Sequence, residues 1–474
     1  MYSGESFSFS ERVAGMIQRG AYFESARPVC IARAPGRLDL MGGNVDYTGG
    51  LVLQFPLSQA VRAAVQPTAR RVIRVLNPGA AAFGWKTELE LPLDMISSLP
   101  AIESLCGPGT GTFWGRYVLG GFHLLHQRYG ACASLGANVF LDSDLPPNRG
   151  LASSAALEVA VLKAASGALG IALAGVSLAQ AAQWVENHVA RSACGIMDQG
   201  AIVLGRRNCL IPLLCQPCLP LPPIRLPGQV RVWGIDSMVP RATNSAPYEL
   251  ARAAAFMGYK MICRWQAVHP AFDKEAEIPR WTDTRLNGYL SNLSPSEFRS
   301  TFEHRLPESL SGEEFLSSFG EHVDPFTAID PHAVYPVRAA VRYATEENLR
   351  IRTAKLLFEN MRPENLEDSL RLIGELQFQS HFAYTGCGLG AGACDDLVEL
   401  ARRFGLFGAK MTGGGAGGVV AVMGLDRQQD AIHQIVGHYA AARGAVPDVF
   451  EGSSDGADLS GTQVTGMAAV AGSL

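Results

Sequence analysis

The sequence has little excess charge of either sign. Its 474 residues include 40 lysines and arginines against 44 aspartates and glutamates, which gives a formal net charge of −4 at pH 7. Nucleic acids and anionic membrane surfaces attract proteins through clustered positive charge, and this composition provides no such excess. We therefore expect neither a nucleic-acid partner nor a membrane partner.

The sequence also lacks a secretion leader and an apolar run that could cross a membrane. The first twenty residues contain no cationic region followed by an apolar one. The longest uncharged stretch, residues 164–185, contains several glycines and glutamines, so it predicts the end of one helix, a turn and a second helix. These absences predict a protein of the cytoplasm.

Disulfide and zinc-finger patterns are missing as well. Ten cysteines stand mostly alone in apolar surroundings, and a chain of this length does not need disulfides to fold. Cys215 and Cys218 form one Cys-x-x-Cys pair, but no second pair follows at zinc-finger spacing. We expect reduced thiols, in agreement with a cytoplasmic location.

The composition that is present is that of a globular protein with two domains. Hydrophobic residues make up 47% of the chain and charged residues 18%, and 474 residues exceed one ordinary core. The proline-rich segment 219–226 is the best candidate linker, so we expect an N-terminal lobe over 1–222 and a C-terminal lobe over 223–474. Residue patterns predict strands at 29–31, 51–55, 61–65, 72–75, 138–141, 230–235 and 419–423, and helices at 113–127, 155–167, 176–190, 248–265, 338–360 and 366–379. Segment 273–319 is expected to be irregular.

The first motif that suggests chemistry is the run from Arg33 to Tyr47, RAPGRLDLMGGNVDY. The pattern predicts a strand that leads into a turn carrying Arg37, Asp39 and Asp46. A fixed cation beside carboxylates is suited to binding hydroxyl groups and to stabilising a developing anion. A surface turn with an ion pair remains the alternative interpretation.

A second motif, PPNRGLASSAALE at residues 146–158, places a glycine and two serines before a predicted helix. Backbone N–H groups at a helix N-terminus attract phosphate oxygens, and the hydroxyls of Ser153 and Ser154 could bind phosphate or Mg²⁺. A serine that caps a core helix is the alternative. Because no Gly-Lys-Ser/Thr follows the glycine, the sequence does not predict a P-loop.

Two further motifs follow. The run CGIMDQ at 194–199 contains Asp198, and Glu186 precedes it by twelve residues on the previous predicted helix. A carboxylate in an apolar stretch is costly unless it is paired or functional, although a capping role is also possible. The run from Gly413 to Gly418 formally matches G-x-G-x-x-G, but a strand-like segment follows it, so a dinucleotide site is disfavoured.

Taken in order, these four motifs resemble the galactokinase branch of the GHMP kinases over nearly the whole chain. Within that branch the sequence is most similar to the kinase domain of the L-arabinokinases, for example in the runs from Trp233 to Ser237 and from Phe450 to Ser454. The resemblance implies an α+β fold of two lobes, with a ribosomal S5 domain 2-like N-terminal lobe and a ferredoxin-like C-terminal lobe. The active site would lie in the cleft between them.

The resemblance also implies a role for each matching residue. Asp198 would be the catalytic base with Arg37 as its cationic partner, and Ser154 and Glu186 would hold Mg²⁺. The remaining implied ligands divide into a sugar group (Asp39, Gly43, Asp46, Gly195 and Tyr248) and an ATP group (Trp114, Gly150, Leu151, Ala152, Ser153, Ser154 and Ala155).

Two departures from the galactokinase pattern are informative. Gly43-Asn44 stands where galactokinases have Glu-His, and that glutamate is the family's partner for the hydroxymethyl group of galactose. L-arabinopyranose has the galactose ring pattern without this carbon, so the glycine favours a pentose by one hydrogen bond, about 0.5–1.5 kcal/mol. Ala152 replaces a serine, but Ser153 and Ser154 remain.

The resulting expectation is a kinase that moves the γ-phosphoryl group of ATP, with Mg²⁺, onto the anomeric hydroxyl of L-arabinose. A galactokinase that acts on D-galactose is the alternative within the class. A catalytically silent sensor of sugar and ATP is the alternative from another class, although intact Arg37, Ser154, Glu186 and Asp198 disfavour it. The sequence does not predict an oligomeric state.

Overall fold

The computed structural model describes residues 8–131, 135–241, 246–273 and 280–466. The first half forms helices α1 (Phe9–Arg19), α2 (Leu99–Leu105), α3 (Gly115–Tyr129), α4 (Ser153–Ala168), α5 (Gly175–His188) and α6 (Met197–Leu204), and strands β1 (Val29–Met41), β2 (Leu51–Thr68), β3 (Val72–Leu76), β4 (Glu88–Pro92), β5 (Gly136–Ser143), β6 (Cys209–Leu214), β7 (Leu219–Pro220) and β8 (Ile224–Arg225).

The second half forms helices α7 (Ala246–Trp265), α8 (Pro295–Glu297), α9 (Gly312–Phe319), α10 (Val337–Glu359), α11 (Leu366–Gly386), α12 (Gly392–Arg403), α13 (Gln429–Arg443) and α14 (Ala457–Ser460). Its strands are β9 (Val230–Asp236), β10 (Ala271–Asp273), β11 (Arg280–Thr282), β12 (Leu310–Ser311), β13 (Val334–Tyr335), β14 (Gly408–Met411), β15 (Val419–Leu425), β16 (Val449–Phe450) and β17 (Thr462–Thr465). Each predicted strand and helix is present, with 51–55 and 61–65 joined in β2.

The large sheet belongs mainly to the first half of the chain. Its strands run in the order β17-β1-β2-β5-β3-β4, and β6 pairs with the start of β2. Helix α4 packs on β1 and β2 and also contacts α3 and α5. Its residues are mostly alanine, valine and leucine because most of the helix is buried, and each large side chain so buried contributes about 1.5–3 kcal/mol.

Strand β1 corrects one expectation from the sequence. Arg37 and Asp39 were predicted on a turn, but both lie inside β1. The strand continues past Pro35 and Gly36 because its register with β2 shifts between Pro35 and Arg37, which absorbs the irregularity as a bulge. Asp46 does lie on the turn that follows β1, as predicted. Arg37 is buried because it is part of the strand itself.

A smaller sheet, in the order β14-β15-β9-β16, forms in the second half. The predicted linker 219–226 is not a free connection, since β7 and β8 within it pair with β6 of the large sheet. The last strand, β17, returns to the large sheet and pairs with β1. A lobe boundary at residue 222 therefore stays a prediction, and any N-terminal lobe also contains this returning strand.

A third body of structure is mostly helical. Helices α7 and α10 enclose a separate buried cluster that includes Phe298, Phe302 and Phe315. This region contains the segment 273–319 that was predicted to be irregular, of which residues 274–279 lie outside the described residues, and the described remainder contains short helices and strands. Within the described residues, no helix is both long and apolar enough to cross a membrane.

Candidate active site

A cavity of about 850 Å³ lies where residues of both halves of the chain meet. Its lining includes the end of β5 and the loop before α4, together with side chains from the second half. The lining residues include Phe83, Trp85, Phe113, Trp114, Gly150, Ala152, Ser153, Ser154, Asp198 and Arg241. The cavity therefore joins an aromatic end to a charged end.

Arg37 and Asp198 meet at the charged end, although 161 positions separate them in the sequence. Arg37 donates from Nε and from Nη2 to Oδ1 of Asp198, at 2.9 and 2.7 Å. Its Nη1 donates to the carbonyl oxygen of Gly150 at 2.6 Å. The Arg37 side chain is fully buried, whereas the Asp198 side chain is 16% exposed. The pair therefore presents a carboxylate oxygen to the cavity from a fixed cationic support.

Ser154 and Glu186 also come together, as the sequence predicts for a magnesium site. Ser154 Oγ donates to Glu186 Oε1 at 2.9 Å, and Gln199 Nε2 donates to Oε2 at 2.6 Å. Burial, and next the nearby Asp198 carboxylate, raise the pKa of Glu186 to about 7. A divalent cation would relieve this repulsion, and Mg²⁺ prefers hard oxygen ligands. The donor set therefore fits Mg²⁺.

The glycine-serine loop leads directly into α4. Gly150 and Ala152 have left-handed backbone, with φ of 76° and 60°, which turns the chain sharply before the helix begins at Ser153. Gly150, Ala152, Ser153 and Ser154 line the cavity. Leu151 and Ala155 are buried, so any contribution from them to phosphate binding would come through the backbone.

The opposite end of the cavity is a pocket of aromatic rings. The predicted Trp114 lies there and donates from its ring nitrogen to the carbonyl oxygen of Lys86 at 3.1 Å. Phe83, Trp85 and Phe113 also line it, and Phe83 and Phe113 are exposed. Such rings can stack on a flat heterocycle such as a nucleotide base. The sequence motifs did not single out these three residues, because they lie outside every recognisable pattern.

Asp46, Gly195 and Tyr248 form a second, more enclosed group beside Asp198. A Cβ atom at position 195 would overlap the Asp46 carboxylate, so only glycine permits this approach. The backbone N–H of Met197 points at Asp46 Oδ2 from 3.5 Å. Burial, and next the charge of Asp198, raise the pKa of Asp46 to about 6. Tyr248 is buried on α7 close to this turn.

Asp39 is placed differently from its predicted role. It is fully buried, and its carboxylate accepts hydrogen bonds from Gln54 Nε2 at 2.7 Å and from the Gly43 N–H at 2.8 Å. The ammonium group of Lys410, also fully buried, lies 3.2 Å from Asp39 Oδ2. These partners use both oxygens, which argues against the predicted direct contact with a sugar. Sequence reasoning missed Lys410, whose partner stands 371 positions earlier.

Gly43 is confined on every side. Its carbonyl oxygen accepts from the Tyr343 hydroxyl at 2.8 Å, and a Cβ atom at this position would overlap both the Tyr384 hydroxyl and the Gly413 carbonyl oxygen. The next residue, Asn44, has φ of 63° and is buried, yet neither atom of its side-chain amide has a hydrogen-bond partner. An unpaired buried amide is costly unless a ligand or water completes it.

Arg241 is a further residue that the sequence motifs did not reveal. It lines the cavity together with Asp198, and its guanidinium packs against Gly413 and Gly414 of the glycine run. The residue is buried, and its Nε has no hydrogen-bond partner. A buried cation with a free donor beside Gly150 of the loop before α4 is suited to binding a phosphate group. The glycines of this run are needed because a side chain at 414 would displace Arg241.

Three stretches of the chain match known families. Residues 116–206 match the GHMP kinases N terminal domain, residues 357–441 match the GHMP kinases C terminal domain, and residues 21–67 match the galactokinase galactose-binding signature. The fold and the site thus define a GHMP kinase. Within that class the chain belongs to the galactokinase branch, and its two-lobed α+β architecture is the GHMP kinase fold, as expected.

Relatives with curated names agree with this assignment. The chain is 32% identical over 489 aligned positions to an L-arabinokinase of Arabidopsis thaliana, an alignment that covers 92% of this chain but only 47% of that protein. It thus spans about half the length of this relative. A galactokinase of Chloroflexus aggregans is 28% identical over 88% of this chain and 90% of its own length.

Solved structures share the fold at lower identity. The structure of Lactococcus lactis galactokinase complexed with galactose superposes with a TM-score of 0.71 at 20% identity, covering 96% of this chain and all of that one. The mevalonate kinase of Methanococcus jannaschii gives a TM-score of 0.55 at 14% identity, over 91% of this chain and 98% of its own. At these identities the likeness concerns the fold alone.

Proposed function

We propose that this protein is an ATP-dependent sugar 1-kinase that phosphorylates the anomeric hydroxyl of L-arabinose. The observation that carries the proposal is the contact of Arg37 with Asp198 at the charged end of the cavity. Ser154 lines the same cavity beside this pair, with Glu186 hydrogen-bonded to it. The residues proposed as cation, base, phosphate loop and metal ligands therefore lie in or next to one cavity, which supports the proposal.

In this proposal Asp198 orients the anomeric hydroxyl and accepts its proton as transfer proceeds. The sugar oxygen forms a bond to the γ-phosphorus while the bond from that phosphorus to the β,γ-bridging oxygen breaks, and ADP leaves with this oxygen. Arg37 stabilises the negative charge that develops on the sugar oxygen. A carboxylate held by a guanidinium is a weak base, so positioning and charge neutralisation supply most of the acceleration.

The phosphate groups of ATP would lie against the N-terminus of α4. Backbone N–H groups of the loop from Gly150 to Ser154 would donate to them, and the unpaired Nε of Arg241 would add a cationic donor. Ser154 and Glu186 would hold Mg²⁺, which when bound neutralises phosphate charge and orients the triphosphate. The base of the nucleotide would stack in the aromatic pocket that contains Trp114.

The choice of a pentose rests on Gly43. The space that a longer side chain would need at this position is filled by the Tyr384 hydroxyl and the Gly413 carbonyl oxygen, so no side chain from position 43 can reach a hydroxymethyl group. The sugar would instead contact Asp46, Tyr248 and the unpaired amide of Asn44. The similarity of this chain to the Arabidopsis relative named L-arabinokinase also supports L-arabinose as the substrate.

D-galactose is the second candidate substrate. The match to a galactokinase galactose-binding signature and the full-length galactokinase relatives favour it. Loss of one hydrogen bond, about 0.5–1.5 kcal/mol, would reduce but not abolish turnover of a hexose. We further propose a reducing, cytoplasmic location, because the nine cysteines within the described residues are free thiols.

The test is a comparison of turnover among L-arabinose, D-galactose, L-fucose and D-galacturonate with ATP and MgCl₂. ADP release gives kcat/KM, and ³¹P NMR identifies the phosphorylated carbon. We expect a 1-phosphate with L-arabinose as the best substrate. Turnover of D-galactose alone would refute the Gly43 argument. If the protein binds ATP but releases no ADP in the presence of any of these sugars, it is the silent sensor instead.

A further inference from the structure

Arg252 is a buried arginine that the proposed mechanism does not use. It lies one turn after Tyr248 on α7 and is 3% exposed. Its Nε and Nη2 donate to the two carboxylate oxygens of Asp324, at 2.8 and 2.9 Å, whereas its Nη1 has no partner. Aromatic rings surround the guanidinium, with the centroid of Tyr47 at 5.0 Å and that of Phe326 at 5.7 Å.

This arginine joins two parts of the chain that are far apart in sequence. Tyr47 directly follows Asp46 on the turn that forms the enclosed sugar group. Asp324 and Phe326 belong to residues 320–333, the segment between α9 and β13, which we call the strap. Within the strap, the Thr327 hydroxyl donates to Asp324 Oδ2 at 2.6 Å. The strap therefore presents a fixed carboxylate to Arg252.

The strap also reaches the first half of the chain. The ring of Phe326 meets His188 of α5 edge-on, with 5.5 Å between centroids, and His188 stacks on Trp184 at 4.7 Å. The strap is thus held by the ion pair of Asp324 with Arg252 and, two residues further on, by the ring contact of Phe326 with His188. Such a buried bidentate pair is rigid, because each partner is costly to leave alone.

We propose that Arg252 is a positioning residue of the sugar subsite and that Asp324 of the strap keeps its charge occupied. With Asp324 in place, the Arg252 guanidinium stays over the Tyr47 ring, 5.0 Å from its centroid, and leaves the Asp46 carboxylate available to sugar hydroxyls. Without Asp324, the guanidinium would need another anion, and Asp46, beside Tyr47, is the carboxylate within the same enclosure. An ion pair there would compete directly with the sugar. The inference rests on the proposed function, in which Asp46 and Tyr248 bind the sugar.

The decisive variant is Asp324→Asn, which keeps the shape of the side chain and removes its charge. We expect KM for the preferred sugar to rise about tenfold, the effect of losing one charge-assisted hydrogen bond, while KM for ATP changes less than about twofold. The double variant Arg252→Gln/Asp324→Asn removes the competing cation, so the KM for sugar should recover at least in part. A purely structural role predicts no such recovery.

A matched control is Glu308→Gln, which breaks the exposed contact between Glu308 and Arg338 in the same helical region and should leave both KM values unchanged. Thermal unfolding checks that each variant is folded at the assay temperature. If Asp324→Asn does not fold, Thr327→Val loosens the same carboxylate and should raise the KM for sugar by a smaller factor, again without affecting ATP.

The outcomes separate the inference from the proposed function. No turnover of any sugar by the wild-type chain refutes the function. An active wild type combined with an unchanged sugar KM in the folded strap variant refutes the inference alone. Equal increases in both KM values, or a double variant no better than Asp324→Asn, also refute it.

Discussion

Position 43 offers the sharpest test of the site, because the smallest possible side chain is expected to disrupt it. In Gly43→Ala the new Cβ would overlap the Tyr384 hydroxyl and the Gly413 carbonyl oxygen, and it would lie 2.8 Å from Asp39 Oδ2. None of these atoms is the end of a flexible side chain in open solvent. The change therefore probes how firmly the turn is packed against α11 and the glycine run.

The magnitude follows from the contacts that must break. The Tyr384 hydroxyl donates to the Gly413 carbonyl oxygen at 2.6 Å, and moving it aside leaves a buried polar group unpaired at a cost of about 1–3 kcal/mol. Overpacking of a tight interior adds about 1–3 kcal/mol. The sum of about 2–6 kcal/mol is a large share of the 5–15 kcal/mol that stabilises a typical protein.

Urea unfolding measures this loss directly. The control is Gly437→Ala on α13, where nothing beyond the adjoining residues and the helix's own backbone lies within 4 Å of the added Cβ, and the helix should gain about 0.5–1 kcal/mol. Tyr384→Phe in the Gly43→Ala background removes the overlapping oxygen, so part of the stability should return. A Gly43→Ala protein as stable as wild type would refute the reasoning. For the same reason, Gly43→Glu should destabilise the fold rather than create selectivity for galactose.

Three further outcomes are expected. Asp198→Asn should lower kcat by about 10²–10⁴ while calorimetry still detects ATP binding, and a loss below tenfold would contradict a proton-accepting role. Burial, and next the charge of Asp198, raise the pKa of Asp46 to about 6. The folded protein therefore holds the Asp46 proton more tightly than the unfolded chain does, and this contribution to the free energy of unfolding is complete below pH about 4 and is lost as pH rises through 6. Relative to Asp46→Asn, wild type should therefore weaken by up to about 3 kcal/mol between pH 4 and 7 in urea unfolding, and a constant difference would contradict this. Ser154→Ala should raise the Mg²⁺ concentration for half-maximal activity at least about tenfold, with Ser166→Ala on the same helix as the control, and equal Mg²⁺ curves would remove Ser154 from the metal site.

The sequence predicted the elements better than their contacts. Strands and helices followed from local periodicity, and the position of Ser154 at the start of α4 followed from the loop pattern. The turn expected around Arg37 is a strand, because pairing with β2 over many residues outweighs the local preference of Pro35 and Gly36. Local patterns cannot show such long-range pairing.

The residues that sequence reasoning missed share one property: their partners are distant in the chain. Lys410 meets Asp39 across 371 positions, and Arg241 acquires its place only when the glycine run folds against it. The aromatic pocket likewise brings Phe113 together with Phe83 and Trp85 of the earlier connection between β3 and β4. Motif order identified the family, but burial and pairing in three dimensions distinguish a buried support such as Asp39 from a candidate ligand.

The return of β17 to the large sheet has a consequence for synthesis. Val29 of β1 pairs with Thr465, so the outer edge of the sheet stays open until more than four hundred further residues have left the ribosome. During that interval β1 presents unpaired backbone groups, which invite association with other strands. A nascent chain paused before β17 should therefore depend on chaperones more than the finished protein does.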